Sequence, residues 1–533
     1  MFERLVENWL TSAGERGYEL AFAQLLAAED HRVLQGPVHH PFEHGKDILT
    51  FAPNGELHAY QLKGPDMIRL EDFEKIQGQL FALAGTAITH PAVTPVRRAD
   101  RVFLVTNATL TPPVRDRVEK FNAANIPSGW PPVEPIEREQ LVSRFVTAHG
   151  KYLPQALPEI RTLLELYYSE ATSLFPVRVL SRYLSAVLPF PPETASIPEC
   201  RRAIASVTLL TAYGAASWTR SENYMAVAQA WLTACACILR FAVVRKLDSK
   251  LWLPSYDLAF EGARTSLAAL AKEAADARDL VVPDMADGLV YPSRALLVCG
   301  FLGAYLLSER TLGDLASATS EHVRTVLTRE ARHIKVLGES GVPAFFMTAS
   351  ALGQLGEVQR SEGMMLSLVR TLATVNQRHS RGALADPYHD LEQVLLHQMG
   401  ADSDLDGEEF DGRSYMLHVG IDWLARRLWR QHLVLMWSDI THVEFVEFQP
   451  SEPDRYLAHD DDQGQMKTWF AGQPQSWSAL LKEARKLDPA VLPDALWKHR
   501  ELIPYLSLLF PYRLTRAMAH AVDTIAGDPG YQP

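Results

Sequence analysis

Residues 45–64 limit what this chain can fold into more than any other stretch. From Ile48 to Lys63 the sequence runs ILTFAPNGELHAYQLK, with β-branched and aromatic residues on both sides of a Pro53-Asn54-Gly55 turn signal. That reads as two antiparallel strands joined by a tight turn. Side chains alternate faces along a strand, so register decides which polar groups meet. A two-residue loop at Asn54-Gly55 sets Asp47 opposite Leu62 and turns Gln61 and Lys63 to the other face. A three-residue loop, Pro53 to Gly55, sets Asp47 opposite Gln61, with Lys63 further along on the same face. Proline suits the first central position of a type I turn, and a glycine in the left-handed conformation closes that turn as a bulge. We therefore expect the three-residue loop, with the Cβ atoms of opposed residues about 5 Å apart. An Asp, a Gln and a Lys converging at the open end of a hairpin suit a hard, oxygen-ligated cation and a positioned water.

The surrounding elements follow a consistent order. Residues 2–29 read as helix with a weak point at Gly14 and Gly17, and Tyr18, Phe22, Leu25 and Leu26 form its apolar stripe. Glu19 shares a face with Phe22, Ala23 and Leu26. A carboxylate on an apolar stripe needs a partner, so Glu19 is either a half-exposed surface residue or a site carboxylate. A strand near His31–Val38 leads into His39-His40-Pro41-Phe42-Glu43-His44, whose spacing fits no zinc pattern and which we read as a structural loop. After the hairpin come a helix over 70–87, with Gln77 and Gln79 solvated, and a buried-type strand over Arg101–Thr106. A helix near 111–124 is opened by Thr111-Pro112-Pro113, followed by a strand near Val133 and a helix from Ile136 to Ala148. A hairpin first and β-α-β alternation after it imply an α/β domain with a mixed sheet flanked by helices.

Gly45-Lys46-Asp47 followed by Gln61-Leu62-Lys63 resembles the G-x-D…(E/Q)-x-K signature of the PD-(D/E)XK nuclease superfamily. The Gln variant is similar to the Mrr-like restriction endonuclease branch. Gly17-Tyr18-Glu19 before an apolar helix resembles that branch's first-helix glutamate. The resemblance covers residues 1–150, and the element order is that of a restriction-endonuclease-like core. It implies a Mg²⁺-dependent (or Mn²⁺-dependent) endonuclease that hydrolyses phosphodiester bonds, with double-stranded DNA as substrate, in restriction or antiviral defence. It also implies Asp47, Gln61, Glu19 and the carbonyl of Leu62 as metal ligands. Lys63 is then the group that orients or helps deprotonate the attacking water. Gln61 offers a neutral oxygen, so the site carries one negative charge fewer than an Asp/Glu pair, and Glu19 restores it. Two readings of another kind stand beside this one: a nuclease fold that binds nucleic acid without cutting it, on a helical interaction scaffold, and a nuclease of RNA. A plainer alternative has Asp47 paired locally with Lys46 or Lys63 on an ordinary hairpin.

At 533 residues the chain is too long for one core. The net charge is -12, and residues 1–150 carry 15 Lys+Arg against 19 Asp+Glu. This excludes a protein that coats nucleic acid through bulk charge and leaves room only for a local basic groove. Cys200, Cys235, Cys237 and Cys299 contain no Cys-x-x-Cys pair, which implies buried thiols rather than a disulfide framework or zinc site. The first residues are acidic and amphipathic, unlike a signal peptide. The longest apolar run, Met225 to Leu239, is interrupted by Gln229 and short for a bilayer span. We expect a cytoplasmic protein without a membrane partner.

Lys151–Pro158 reads as a linker, giving three parts: a nuclease-like domain over 1–150, an α-helical array over 159–438, and a small β element with closing helices over 439–533. Helical periodicity is clear at Ala203–Tyr213, Asn223–Lys246, Leu258–Ala277, Arg294–Ser308, Ser320–Gly338, Gly363–His379, Asp390–Met399 and Tyr415–Trp437. Such an array suits a protein partner or a second copy of the chain. Asp402-Ser403-Asp404-Leu405-Asp406-Gly407 opens like a calcium loop, but Arg413 stands where the bidentate Glu belongs, so we read an acidic surface loop. The Arg426-Arg427-Leu428-Trp429-Arg430 cluster reads as a solvated helix face with one buried Trp; its alternative has the arginines on phosphates and Trp429 stacked on a base. Val443–Phe448 alternates like a strand, with Arg455–Ala458 and Met466–Phe470 as partners across the turn at Asp460–Gly464. No phosphate-binding Walker loop is present in the sequence.

Overall fold

The structure is a computed structural model of the whole chain. It describes residues 2–35, 46–64, 70–153, 157–171, 174–188, 195–277, 288–313, 317–377, 383–401, 405, 412–450, 452–457, 465–470, 476–486 and 492–527. The elbow at 39–44, most of the acidic run at 402–411 and the turn at 460–464 lie outside the described residues.

The N-terminal part begins with α1 (Phe2–Ser12) and α2 (Glu15–Ala28), broken at Ala13-Gly14 where the sequence shows its weak point. Then follow β1 (Arg32–Gln35), β2 (Ile48–Phe51), β3 (Leu57–Lys63), α3 (Leu70–Gly85), β4 (Arg101–Thr106), α4 (Pro112–Asn125), β5 (Val133–Ile136) and α5 (Arg138–His149). The five strands form one sheet in the order β1-β2-β3-β4-β5, antiparallel from β1 to β3 and parallel from β3 to β5. This is the mixed, helix-flanked sheet that the element order predicts.

The hairpin adopts the three-residue register. Ile48 pairs with Tyr60 and Phe51 with Leu57. The Gly55 amide donates to the Ala52 carbonyl at 2.8 Å, and Gly55 has φ 85. Leu49, Leu57 and Ala59 pack into a core with Phe73, Ile76 and Leu80 of α3. Burying each of the Leu, Ile and Phe side chains among them contributes roughly 1.5–3 kcal/mol. Tyr60 has the opposite parity and faces α2, where Phe22 meets it edge-on at 5.5 Å. Helices α2 and α3 therefore cover opposite faces of the sheet.

Helices continue with α6 (Leu157–Tyr167), α7 (Val177–Val187), α8 (Ile197–Gly214), α9 (Ala216–Arg220), α10 (Tyr224–Arg245) and α11 (Ser249–Asp276). The chain divides into two compact units, 1–263 and 264–533. The expected division at residue 150 thus falls inside the first unit. The physical reason is side-chain pairing: Gln24 on α2 donates to the Ser255 carbonyl at 3.2 Å, and Ser12 meets the Tyr167 hydroxyl at 2.8 Å. Helix α6 also begins inside the stretch read as a linker.

The second unit holds the rest of α11, then α12 (Val290–Leu312), α13 (Ser317–Glu330), α14 (Val342–Gln354), α15 (Val358–Val375), α16 (Leu391–Gln398), α17 (Leu417–Arg426), α18 (Arg430–Ile440), α19 (Trp477–Arg485), α20 (Asp494–Lys498), α21 (Ile503–Leu509) and α22 (Arg516–Ala526). Its small sheet runs β6 (Arg413–Ser414), β7 (Glu444–Gln449) and β8 (Gln465–Phe470). A Cβ on Gly303 would stand 2.7 Å from the Met347 carbonyl oxygen, so that glycine permits the close crossing of α12 and α14.

Several expectations are corrected here. The Ser320–Gly338 helix ends at Glu330, and the Tyr415–Trp437 helix is two, α17 and α18, separated at Leu428 with φ 62. Pro453–Tyr456 is a 3-10 turn, so the strand expected at Arg455–Ala458 is not formed, and β6 is the third strand instead. The solvated-face reading of the arginine cluster holds for Leu428 and Arg430, which are exposed, and fails for Arg426, which is buried on Asp523 at 2.8 Å. The apolar run at Met225–Leu239 sits within the 22-residue α10, and α12 has 23 residues; both are long and apolar enough to cross a membrane, and 83% and 78% of their apolar windows are buried within the protein. All four cysteines are buried and none forms a disulfide.

Replacing Gly55 by Ala should lower stability by about 1 kcal/mol, and Gly55→Asn by less, because Asn tolerates a left-handed backbone. Nothing lies within 4 Å of a Cβ built there, so backbone strain alone is at issue. Equilibrium denaturant unfolding followed by a probe in the first unit measures both.

Candidate active site at the hairpin mouth

Asp47 lies one residue before β2, with its amide on the Tyr60 carbonyl at 2.9 Å. Its Oδ2 accepts two hydrogen bonds, from Gln61 Nε2 at 2.7 Å and from the Leu62 amide at 2.6 Å. Gln61 and Lys63 follow on the same side of β3. Lys46, next to Asp47, turns away: its Nζ donates to the Ala82 carbonyl at 2.9 Å near the end of α3, and burial lowers its pKa to about 8. The local pairing of Asp47 with Lys46 is therefore not formed.

Helix α2 brings the acids. The Tyr18 hydroxyl, fully buried, donates to the carbonyls of Lys63 at 3.0 Å and Val105 at 3.3 Å, which fixes the helix to the ends of β3 and β4. Asn107, just past β4, donates to the carbonyls of Leu10 and Ala13 at 2.7 and 2.6 Å and holds the α1–α2 junction at the same place. Glu15 then meets Lys63 Nζ at 3.4 Å and accepts from the Gly64 amide at 3.3 Å. Glu19, one turn along, is 3 % exposed, so the half-exposed surface reading does not hold.

The electrostatics are those of a crowded acidic centre. Burial pushes the Asp47 carboxyl up to about 7; Glu19 and Glu15 push the same way, while the Leu62 amide and Lys63 pull it down. The Asp47 carboxyl thus feels two further carboxyl groups and one ammonium group. Two oxygens of the hairpin trio stay uncommitted among the described residues: Asp47 Oδ1, and Gln61 Oε1, which is buried without a hydrogen-bond partner. A buried acceptor left without a donor fits a cation ligand, and the oxygen-only donor set suits Mg²⁺ or Mn²⁺ over a softer metal. Against a preformed cage, among the described residues no three His, Cys, Asp or Glu side chains stand close enough together to hold a metal.

The structure therefore brings Asp47, Gln61, Lys63 and Glu19 to one end of β3, beside the point where the sheet changes from antiparallel to parallel. Gln77 and Gln79 are exposed on α3 and take no part. Glu15, Tyr18 and Asn107 were not anticipated. Glu15 was the legible one, four residues before Glu19 on the same helical face. A separate shallow groove of about 510 Å³, lined by Phe103, Pro135, Ile136, Gln140 and Arg144 among others, includes none of these residues.

The raised Asp47 pKa has a consequence for stability. The folded state holds this proton more tightly than the unfolded chain does. Burying the carboxylate therefore costs stability that appears as pH rises from about 4 and is complete above about 7. Asp47→Asn should raise the unfolding free energy at pH 8 by a few kcal/mol at most, about 1.4 kcal/mol per tenfold of proton affinity, and leave it nearly unchanged at pH 4. Thermal unfolding in metal-free buffer at the two pH values checks this.

Compared with protein-family models, curated proteins and solved structures, the chain matches none of them.

Proposed function

We propose that the first unit is a PD-(D/E)XK-type, metal-dependent endonuclease that hydrolyses phosphodiester bonds, with DNA as its substrate. The observation that carries this reading is the convergence of Asp47, Gln61 and Lys63 at the hairpin mouth against Glu15 and Glu19. Mg²⁺ or Mn²⁺ would be held by Asp47, Gln61 Oε1, the Leu62 carbonyl and Glu19. When bound it supplies a lowered water pKa and stabilisation of the departing oxyanion. The remaining work falls to the chain. Lys63, kept in place by Glu15, orients the attacking water and balances charge gathering on the phosphorus. The neighbouring acids repel nucleic acid until a cation or a basic contact offsets them. On this reading the helical remainder senses a target or partner, as suits restriction of foreign DNA.

One observation favours a second reading, a nuclease fold that binds without cutting. The acids at the site do not close into a three-residue cage among the described residues. Nicking of supercoiled plasmid by the full chain with Mg²⁺, abolished by EDTA, separates the two readings. A matched RNA of equal length separates DNA from RNA.

Lys63→Ala and Asp47→Ala should each cut the rate of plasmid nicking by about 10²-fold or more while the folded fraction stays unchanged; nicking at the wild-type rate by purified Lys63→Ala defeats the mechanism. Asp47 must lose its proton to ligate a cation, and its pKa lies near 7. Divalent-metal affinity should therefore fall about tenfold per pH unit below 7 and level off above it, as read by titration calorimetry.

A further inference from the structure

A chain of net charge -12 has few places where a polyanion can settle. One lies at the C-terminal end of α1, beside the hairpin mouth. Arg138, at the start of α5, donates from Nη1 to the Thr11 hydroxyl at 3.3 Å. Arg220, at the end of α9, donates from Nη1 to the Ser12 hydroxyl at 3.2 Å and to the Tyr167 hydroxyl at 3.4 Å. Two guanidinium groups thus stand on neighbouring residues, and each is held by neutral hydroxyls. Neither makes an ion pair among the described residues. Glu137 is taken by Arg115 at 2.8 Å and by the Leu110 amide at 2.8 Å, and Glu7, Glu139 and Glu222 are exposed without reaching either arginine. Arg220 is exposed and Arg138 half-buried, and their remaining N–H groups face no acceptor among the described residues and are not buried.

An aromatic ring lies alongside. Tyr168 is 71 % exposed and meets Tyr167 edge-on at 4.9 Å, and the Arg220 guanidinium carbon stands 5.3 Å from the Tyr167 centroid. The carbonyls ending a helix carry partial negative charge, which draws cations to this point. That charge does not use up the arginines, because Asn107 already takes the Leu10 and Ala13 carbonyls at 2.7 and 2.6 Å. Planar donors left open on two fixed arginines, beside an open ring, match the phosphates and sugars of a nucleic-acid strand. Ser12 stands three residues before Glu15, whose carboxylate meets Lys63 at 3.4 Å. Three residues span at most about 10 Å, which at roughly 3.4 Å of rise per nucleotide is about three nucleotides.

We propose that Arg138 and Arg220 hold backbone phosphates of DNA a few nucleotides from the phosphate that enters the hairpin mouth, with Tyr168 against a sugar of the same strand. The inference rests on the nuclease reading of the first unit. It extends the nucleic-acid surface past residue 150, to the ends of α6 and α9.

The experiment reads binding rather than cleavage. The full chain carrying Lys63→Ala, with Mg²⁺ present, is titrated against a fluorescently labelled DNA duplex at a series of KCl concentrations and followed by anisotropy. Three changes are added to that background: Arg138→Gln with Arg220→Gln, Arg138→Lys with Arg220→Lys, and Tyr168→Ala. Glutamine keeps a donor for each hydroxyl and removes the charge, whereas lysine keeps the charge. The glutamine pair should weaken binding by tenfold or more at low salt and flatten the slope of log affinity against log salt by about 0.9 per arginine. The lysine pair should keep the slope. Tyr168→Ala should weaken binding several-fold at an unchanged slope, and full binding by that variant overturns the part given to the ring. If the glutamine pair does not fold, the two single substitutions decide. Unchanged affinity and slope in the glutamine variants overturn the proposal, and the arginines then serve only the end of α1; plasmid nicking by the wild type keeps the nuclease reading in that case. Binding that falls as expected, in a chain that never nicks DNA, keeps this surface and defeats the nuclease reading. A chain that leaves the duplex unbound overturns both.

Discussion

The two hydrogen bonds on Asp47 Oδ2 are the constraint on which the hairpin mouth depends. They join the residue before β2 to Gln61 and Leu62 on β3, and they form only in the register set by the Pro53–Gly55 loop. A slip of one residue turns Gln61 and Lys63 to the opposite face. The positive φ of Gly55, far from the site along the ribbon, thus sets which side chains gather at its open end. Tyr18 completes the arrangement by fixing α2 to the ends of β3 and β4, which delivers two carboxylates to the same point.

This gathering has a cost. A buried Asp with a pKa near 7, beside two further acids, opposes folding at neutral pH. Proteins hold such groups where an added cation or substrate can offset the repulsion. The first unit compensates elsewhere, in the apolar layer between the sheet and α3 and in the packing of Phe22, Tyr60 and Phe103 on the other face, with Tyr60 and Phe103 stacked at 4.9 Å. Stability and the proposed cation site thereby fall in different parts of one domain.

The sheet's element order and the hairpin register were readable because turn chemistry is local: a proline and a glycine at fixed positions admit few geometries. The Glu15–Lys63 pair was less readable, since it depends on where α2 lands, which Tyr18 and Asn107 decide through contacts distant in sequence. The break at Leu428 carries no glycine or proline to mark it, so the two helices read as one. The strand expected at Arg455–Ala458 gave way to a 3-10 turn, and a two-residue strand from upstream, Arg413–Ser414, took its place beside β7. Arg426 looked solvated because its partner, Asp523, lies nearly a hundred residues away. In each case tertiary pairing overrode a local pattern.

The central claim is that Asp47 and Gln61 share a divalent cation. Crystals of the full chain grown with Mn²⁺ and measured near the manganese absorption edge test it most directly. The account predicts an anomalous peak about 2.0–2.3 Å from an oxygen of Asp47 and from Gln61 Oε1, with Glu19 close by. No peak at the hairpin mouth at saturating Mn²⁺, or a peak bound only by residues remote from Asp47, would contradict it.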